Sequence, residues 1–445
     1  MRGTTHPTTV RRFGVALAAL ALAATACTSS GGEAETQGNS AAPEDTEPAE
    51  LVITPDDGTE QLAPNTPVQV TAEHGVITDV QVDQVVPSEA AVEGGEAAED
   101  PLEMTGRLNE DETEWTSEWA LTPGAEVVVT ATAANAAGEE TELVHEFTTM
   151  PATPGMALEL ASNFPSSGDT VGVGMPVVIN FDLPVTNKEQ VENSMEVTAE
   201  QDIDGAWNWV SDQMAVFRTE EYWEPYQSVT VDLHLAGVEA SEGVYGARNY
   251  QIDFEVGREL IATQHVPDHE MEITIDGEHE RTIEVSNGMG TTRAYTTTSG
   301  THVFMERYEH LTMDSATLGV PADSPGGYRV DVQYAVRTTN SGEFTHEADY
   351  NPNIGSANTS HGCTNMRSED AKWIYDNTLM GDILDTTGTD REVEWNNGWG
   401  YWQMSWDEWL EASVTGEPQT TDGSGTPGSV FGATEDEAEA ETETE

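Results

Sequence analysis

Short runs of alternating apolar and polar residues dominate the first part of the chain and predict β-strands. The alternation is clear at Val68–Val70, Val80–Val82 and Glu126–Thr132. Because successive side chains of a strand point to opposite faces, such runs suit strands with one buried face. Turn residues interrupt them, for example at Pro55–Gly58. Many short strands separated by turns are typical of a β-sandwich, which we predict over residues 49–150.

The same pattern returns in the next segment. Its opening, Leu160–Gly168, resembles the opening of the first, Leu51–Gly58. Two later runs alternate without interruption: Val229, Val231, Leu233 and Leu235, and then Tyr250, Ile252, Phe254 and Val256. We therefore predict a second, tandem sandwich over residues 151–258.

Alternation continues in a third region, which we assign to residues 259–390 and predict to be mainly β. The alternating positions are Met271, Ile273, Ile275, Val330, Val332, Tyr334 and Val336. One short helix is predicted near the end of this region. Ser368 can serve as its N-cap, Glu369 and Asp370 suit the positive end of the helix dipole, and Gly381 can end it.

The C-terminal part divides into two segments of different composition. Residues 391–413 contain the tryptophans Trp395, Trp399, Trp402, Trp406 and Trp409. We expect this Trp-rich segment to pack against the third domain, with glycan stacking as the alternative. Residues 414–445 have no apolar period and end in an acidic run, so we predict a disordered tail.

The N-terminal segment, residues 1–27, is typical of an export signal. Arg2, Arg11 and Arg12 precede the apolar run Phe13–Ala23, which is too short to span a bilayer. Small residues lead to Cys27, as in bacterial lipoprotein signals, so we expect Cys27 to be lipidated and residues 28–48 to be a tether. Ordinary secretion and twin-arginine export remain alternatives.

The charge balance excludes some classes of partner. The net charge is −66, with 82 acidic and 16 basic residues. Such a surface repels nucleic acid and anionic lipid headgroups, so neither is expected to bind directly. A dense carboxylate surface also resembles proteins adapted to high salt, which predicts loss of folding or activity in dilute buffer.

One cysteine stands out as a candidate nucleophile. If Cys27 carries lipid, Cys363 has no partner for an internal disulfide. A thiol attacks carbonyl carbon as the thiolate, and its ordinary pKa near ~8.5 would rise in so acidic a protein. A histidine base is therefore required near it, and His346 and His361 are both candidates.

Metal binding is the competing interpretation of these residues. Cys363 and His346 could form a zinc site with Glu347 and His361, and His265 with His269 could be a second metal pair. A single cysteine and the absence of a helical pattern around His265 favour no metal, and we expect no cofactor.

The string Ser360-His361-Gly362-Cys363-Thr364-Asn365, with His346 upstream, resembles the signature of the L,D-transpeptidase family (the YkuD-type catalytic domain). Residues 51–413 as a whole are similar to the actinobacterial lipoprotein members of that family. Further strings carry the resemblance: Trp207–Trp209, Tyr222–Pro225, Met313–Ser315, Ser324–Arg329 and Ser341-Gly342. It implies a mainly β chain with two tandem Ig-like β-sandwiches, a β-sandwich catalytic domain with one short helix, and a Trp-rich C-terminal subdomain.

The resemblance also implies catalytic roles. Cys363 would be the nucleophile, and His346 would be the general base that later protonates the leaving amine. The backbone carbonyl of Glu347 would orient the His346 ring, and its carboxylate could raise the pKa of His346. His361, Gly362 and the Cys363 amide would shape an oxyanion pocket.

Substrate contacts follow from the same resemblance. Ser341, Gly342, Ser360 and Asn365 would hold the peptide, and Met313 and Tyr328 would line the mouth of the pocket. Tyr350 lies where relatives have a tryptophan, which leaves the substrate contacts there open.

The implied reaction is acyl transfer between peptidoglycan stem peptides. A tetrapeptide donor would lose D-Ala to form a thioester on Cys363, and a diamino-acid amine of a second stem would resolve it into a 3→3 cross-link. Carbapenem-type β-lactams would acylate the same thiol. The enzyme would be anchored to the membrane only by its N-terminal lipid and would face the cell wall. The alternative function is a non-catalytic wall-binding lipoprotein or adhesin built from the Ig-like domains.

Overall fold

The computed structural model describes residues 47–86, 104–318, 320–324 and 327–430. The predicted export signal, Cys27 and nearly all of the tether lie outside the described residues. Three successive β-domains occupy the described part, and the predicted mainly β fold class is confirmed. No helix in the described part is long and apolar enough to cross a bilayer.

The first domain is a sandwich of two sheets. One has the strand order β1-β2-β5-β4 and the other β3-β6-β7, and their facing apolar side chains, including Ile53, Trp115 and Val129, form its core. The strands are β1 Glu50–Thr54, β2 Gln69–Glu73, β3 Val76–Val85, β4 Gly106–Leu108, β5 Glu114–Ser117, β6 Glu126–Ala134 and β7 Glu140–Thr148. The strict alternation of burial along β6 is the pattern expected from its sequence.

The second domain is also a sandwich. Its elements are β8 Ala157–Leu158, β9 Leu160–Phe164, β10 Thr170–Val171, β11 Val177–Phe181, α1 Lys188–Glu192, β12 Met195–Ala199, β13 Asp204–Ser211, β14 Met214–Thr219, β15 Gln227–Leu233, β16 Glu239–Ser241, β17 Val244–Gly246 and β18 Tyr250–Val256. One sheet has the order β10-β18-β15-β12, a second contains β13-β14-β11-β9, and β16-β17-β8 form a small third.

The third domain is built on one long mixed sheet. Its elements are β19 Leu260–His265, β20 Glu270–Ile275, β21 Glu278–Ser286, β22 Gly300–Val303, β23 Arg307–Asp314, β24 Arg329–Arg337, β25 Phe344–Glu347, β26 Thr364–Met366, α2 Ser368–Asn377 and β27 Ile383–Thr387. The strand order is β22-β27-β19-β20-β21-β26-β25-β24-β23. Short 3-10 turns occur at Val266–Asp268, Arg293–Tyr295, Ser315–Leu318 and Gly400–Gln403.

The predicted helix, α2, exists but its ends differ from the prediction. Arg367 is the N-cap, and Ser368 is the first helical residue, whose N–H donates to Asp349 Oδ1 at 3.0 Å. The helix ends at Asn377, because Thr378 adopts an extended conformation and its N–H bonds back to Ile374. Gly381 therefore lies beyond the helix and does not end it.

The Trp-rich segment packs against both the third domain, as predicted, and the second domain, which the sequence did not indicate. Helix α3, Trp406–Glu411, brings Trp409 into a fully buried position, where its Nε1 donates to Ala206 O at 3.0 Å. Trp402 Nε1 donates to Gly174 O at 3.0 Å. The Arg218 guanidinium lies 5.0 Å from the ring centroids of both tryptophans. The indoles thus find acceptors and a cation on the second domain, while Val303 and Met305 of the third complete the same core.

The tail prediction is wrong for residues 414–430. Strand β28, Gln419–Thr420, pairs antiparallel with β13 of the second domain. Further along, Val430 N donates to Glu118 O at 3.2 Å and Ala120 N donates to Ser429 Oγ at 3.2 Å, both on the first domain. Polar residues without an apolar period are ordered here because their hydrogen bonds are made to other domains. Residues 431–445 lie outside the described part.

Candidate active site

The two residues predicted to carry the chemistry lie on adjacent strands. His346 is in β25, and Cys363 immediately precedes β26, which runs parallel to β25 with His346 opposite Asn365. Both side chains line one cavity of about 400 Å³. The loop between these strands returns the chain so that His346 and Cys363, 17 positions apart, line the same cavity.

Most of the predicted site residues share this cavity. Its lining consists of Met313, Tyr328, Val330, His346, Tyr350, Asn351, Pro352, Thr359, Ser360, His361, Cys363 and Asn365. Tyr350 thus lines the cavity at the position that the sequence left open. The cavity is a candidate acyl-transfer site because a nucleophile, a base and hydrogen-bonding groups converge on it.

The His346 ring is fixed by its neighbour. Nδ1 lies 2.7 Å from the backbone carbonyl of Glu347. A carbonyl can only accept, so Nδ1 carries the proton and Nε2 presents its lone pair. Burial lowers the pKa of His346, and the carbonyl and charge of Glu347 oppose that effect without reversing it. Glu347 thus raises the pKa of His346 as expected, and burial outweighs its contribution.

Cys363 is held as a thiol. Only 9% of the residue is exposed, and Sγ donates to Gly342 O at 3.6 Å. Burial raises the pKa of Cys363 to about 12, and the negative charge of Glu343 adds to the shift. A neutral thiol and a neutral imidazole therefore line the same cavity in the resting site. Such a pair can react by transferring the thiol proton to His346 as the sulfur attacks.

The loop that carries Cys363 is clamped by hydroxyl groups. Ser360 Oγ donates to Cys363 O at 2.5 Å and accepts from Gly362 N at 3.1 Å. Thr297 Oγ1 donates to Gly362 O at 2.7 Å. Gly362 has a φ of +132°, a conformation that residues with a Cβ rarely adopt. The Gly362 amide already donates to Ser360 Oγ, so it is not available to an oxyanion. Of the two predicted backbone donors, the Cys363 amide is therefore the better candidate.

The structure separates the roles of the two histidines. His361 packs edge-on against Tyr295, with ring centroids 4.6 Å apart, and against Tyr328 at 5.0 Å. It lines the cavity among these rings, and burial lowers its pKa. His346 is only 3% exposed and has its proton fixed on the far nitrogen. The geometry therefore favours His346 as the base.

Asn365 offers an unused acceptor in the cavity. Its Oδ1 is buried and has no hydrogen-bond partner within the described residues. Buried polar atoms are rarely left unpaired, and an exception in a cavity suits a ligand donor. This supports the expectation that Asn365 helps to hold the peptide.

Ser341 is not placed where the sequence predicted. Its N–H donates to Asn397 Oδ1 at 2.9 Å and its Oγ accepts from Asn397 Nδ2 at 2.9 Å. Ser341 lines a separate cavity of about 310 Å³ and is not part of the lining of the cavity that contains the thiol. Gly342 does reach the site, through the carbonyl that accepts from Cys363.

Sequence reasoning missed an ion pair beside the thiol. Glu343 is buried, and its Oε1 lies 3.1 Å from Arg391 Nη1. Thr298 Oγ1 donates to Glu343 Oε2 at 2.8 Å. Nothing in the local pattern links Glu343 to Arg391, which lies 48 residues later in the chain. No group of three or more His, Cys, Asp or Glu within the described ranges could hold a metal ion.

Comparison with known proteins agrees with this architecture. Residues 59–239 match the family model of a bacterial Ig domain, and residues 261–420 match that of the L,D-transpeptidase catalytic domain. L,D-transpeptidase 2 of Mycobacterium tuberculosis (strain CDC 1551 / Oshkosh) is 32% identical over 355 residues, which cover 79% of this chain and 82% of that protein. L,D-transpeptidase 1 of M. tuberculosis (strain ATCC 25618 / H37Rv) is 33% identical over 230 residues, 52% of this chain and 85% of that protein.

Two solved structures are also similar. The LD transpeptidase LdtMt1 in complex with imipenem is 31% identical and covers 51% of this chain and 98% of its own, with a TM-score of 0.45. L,D-transpeptidase 3 from M. tuberculosis in complex with a faropenem-derived adduct is 28% identical. The match covers 53% of this chain and 100% of that chain, with a TM-score of 0.44. With two Ig-like domains, a catalytic domain that places Cys363 and His346 in one cavity, and a relative matched over most of both lengths, this chain belongs to the L,D-transpeptidase family.

Proposed function

We propose that this protein is a peptidoglycan L,D-transpeptidase that forms 3→3 cross-links through a thioester on Cys363. One observation carries the proposal. His346 has its proton fixed on Nδ1 by the Glu347 carbonyl, so its Nε2 is free to act as a base in the cavity that also contains the Cys363 thiol. Family membership supports the reaction class, and the geometry supports the assignment of roles.

In the first half-reaction the thiol attacks the peptide bond between the diamino acid at position three and D-Ala at position four of a donor stem. The S–C bond forms as the thiol proton moves to His346 Nε2. The tetrahedral intermediate collapses when that proton passes to the leaving nitrogen, the C–N bond breaks and D-Ala departs. The Cys363 amide is the donor that would stabilise the oxyanion.

In the second half-reaction the side-chain amine of another stem attacks the thioester carbonyl. A C–N bond forms, the C–S bond breaks, and the amine proton passes through His346 to the sulfur. The resting thiol is thereby restored. Asn365 Oδ1, buried and without a partner, would accept from a backbone N–H of the bound peptide.

Carbapenem-type β-lactams should acylate the same thiol. Opening of the strained ring joins its carbonyl carbon to Sγ, and the proton passes from Sγ through His346 to the ring nitrogen. Structures of similar proteins in complex with imipenem and with a faropenem-derived adduct support this.

We further propose an extracytoplasmic, lipid-anchored location facing the cell wall. Cys27 would carry the lipid, and the two Ig-like domains would act as spacers between membrane and wall. Incorporation of radiolabelled palmitate that disappears in Cys27→Ala tests the anchor. Labelling that persists in Cys27→Ala would place the lipid elsewhere.

Mass spectrometry with a disaccharide-tetrapeptide donor tests the catalytic proposal. Wild type should release D-Ala and form a cross-linked dimer, and it should gain one drug mass on Cys363 with a carbapenem. Cys363→Ala should do none of these. A wild-type protein that stays unmodified and inactive while binding cell wall would instead support the adhesin alternative.

A further inference from the structure

A second cavity lies beside the active site and has no part in the steps above. Its volume is about 310 Å³, and it is lined by Arg293, Thr298, Ser341, Arg391, Glu392, Glu394, Asn396 and Asn397. We call it the arginine cavity. Glu394 and Asn396 also line an open cavity of about 700 Å³ along the Trp-rich segment, so the two spaces adjoin.

The arginine cavity and the thiol share a wall. Ser341 faces the cavity, and the carbonyl of the next residue, Gly342, accepts from Cys363 Sγ at 3.6 Å. Thr298 also faces the cavity, while the preceding Thr297 bonds to Gly362 O at 2.7 Å. One residue step is ~3.8 Å, so the lining of the arginine cavity begins one step from the backbone that contacts the Cys363 segment.

Arg293 differs from the other described arginines in the contacts of its guanidinium group. Among the arginines that the structure describes, it alone has a guanidinium with neither a hydrogen bond nor an ion pair. This occurs in a chain with 82 acidic and 16 basic residues, where carboxylate partners are plentiful. An unpaired guanidinium lining a cavity is suited to bind an anion from solution.

Arg391 adds a second, preorganised cation. Its Nη1 is held by Thr296 O at 2.8 Å and by Glu343 Oε1 at 3.1 Å. These bonds use one of its three nitrogens, so donors remain for a ligand. Guanidinium groups bind carboxylates through paired N–H donors, which a lysine cannot reproduce. The exposed carboxylates of Glu392 and Glu394 could accept from N–H groups of the same ligand.

We propose that the arginine cavity binds the acyl acceptor through a carboxylate next to its attacking amine. This inference rests on the proposed function and specifies its acceptor: a diamino acid whose amine-bearing carbon also carries a free carboxylate. Arg293, supported by Arg391, binds the carboxylate. The amine is then directed past Gly342 to the thioester, where the C–N bond forms, the C–S bond breaks and the amine proton returns to sulfur through His346.

Acceptor competition tests this. Wild type, Arg293→Gln and Arg293→Lys are acylated by the same donor and given two stem-peptide acceptors, one with the carboxylate free and one with it amidated. Arg367→Gln is the matched control, because Arg367 is an exposed arginine of the same domain that lines neither cavity. The readout is kcat/KM for dimer formation with each acceptor.

We expect wild type to prefer the free carboxylate by about 10-fold, the effect of one charge-assisted contact. Arg293→Gln should lose that preference, Arg293→Lys should keep part of it, and Arg367→Gln should match wild type. Equal use of both acceptors by wild type, or an unchanged preference in Arg293→Gln, would overturn the inference while leaving the proposed function intact. A wild type that forms dimer with neither acceptor would overturn both.

Discussion

Glu343 and Arg391 form an ion pair beside the thiol, with Oε1 and Nη1 3.1 Å apart. Glu343 follows the glycine whose carbonyl accepts from Cys363. Burial raises the pKa of Glu343, and its bonds to Thr298 and the charge of Arg391 oppose that shift. The negative charge of Glu343 in turn raises the pKa of Cys363, in addition to the larger effect of burial.

Replacement of Glu343 should therefore activate the thiol. Glu343→Gln removes a negative charge and leaves the Arg391 cation, and both changes favour the thiolate. We expect alkylation of Cys363 by iodoacetamide at pH 7 to be faster by roughly 3- to 10-fold, with the pH–rate profile shifted to lower pH. Glu280→Gln, at an exposed position of β21, is the control and should not move the profile. A shift to higher pH would contradict the assignment.

Acylation should remain efficient in mildly acidic solution. His346 must be neutral to accept the thiol proton, and burial lowers its pKa below the ordinary value of 6.5. The acid limb of kcat/KM for carbapenem acylation should therefore have its midpoint below pH 6.5. In His346→Ala the limb should be absent and the rate lower by roughly 10²–10⁴, the usual contribution of a general base. A midpoint above 6.5 would mean that another group limits the reaction.

The Arg258–Asp382 pair should stabilise the junction between the second and third domains. Asp382 is fully buried, and Arg258 approaches its two oxygens at 2.8 and 2.7 Å. Arg258→Ala leaves the carboxylate without its cation, which should cost about 3–5 kcal/mol. Arg329→Ala, which breaks an ion pair whose arginine is 67% exposed, should cost no more than about 1 kcal/mol. Calorimetric unfolding compares the two variants.

The loss of stability caused by Arg258→Ala should depend on pH. Burial raises the pKa of Asp382 to about 6 even though Arg258 lowers it, so removal of Arg258 raises it further. A carboxyl group whose pKa is higher in the folded state destabilises that state once it ionises, so stability falls as pH rises. The decrease in Tm should be larger at pH 8 than at pH 5. The opposite order would show that Asp382 is not the group left unpaired.

The C-terminal strap, residues 414–430, should stabilise the two Ig-like domains. Thr421 is fully buried, its N–H donates to Ile203 O at 3.0 Å, and Ile203 N donates to its Oγ1 at 3.0 Å. Arg107 Nη2 donates to Thr426 O at 3.2 Å. Deletion of residues 414–445 should lower Tm by about 5 °C, as for a loss of roughly 2 kcal/mol in a large chain. Deletion of 431–445 keeps all of these bonds and should leave Tm near wild type; equal effects would contradict a role for the strap.

Local patterns in the sequence were sufficient for the β-domains and for Cys363 as the nucleophile. Alternation along Tyr250–Val256 predicted a strand with those bounds, because the period of two is a property of the extended backbone itself. Chemistry required a histidine near Cys363 and left His346 and His361 open, and the resemblance to the L,D-transpeptidase signature favoured His346. A thiol that must lose its proton requires a base, and few residue types can serve.

Features that depend on distant partners were decided only by the tertiary structure. Ser341 lines the arginine cavity and not the cavity of the thiol. Its position depends on its hydrogen bonds to Asn397, a residue 56 positions later in the chain. The polar strap is ordered because it forms hydrogen bonds with the two Ig-like domains. Those partners lie over 200 residues earlier in the chain, so no local pattern reveals them. The sequence by itself determined which groups react and which segments extend. The burial that keeps Cys363 protonated and the charge that Arg391 brings to Glu343 arise only when remote segments are folded together and water is excluded.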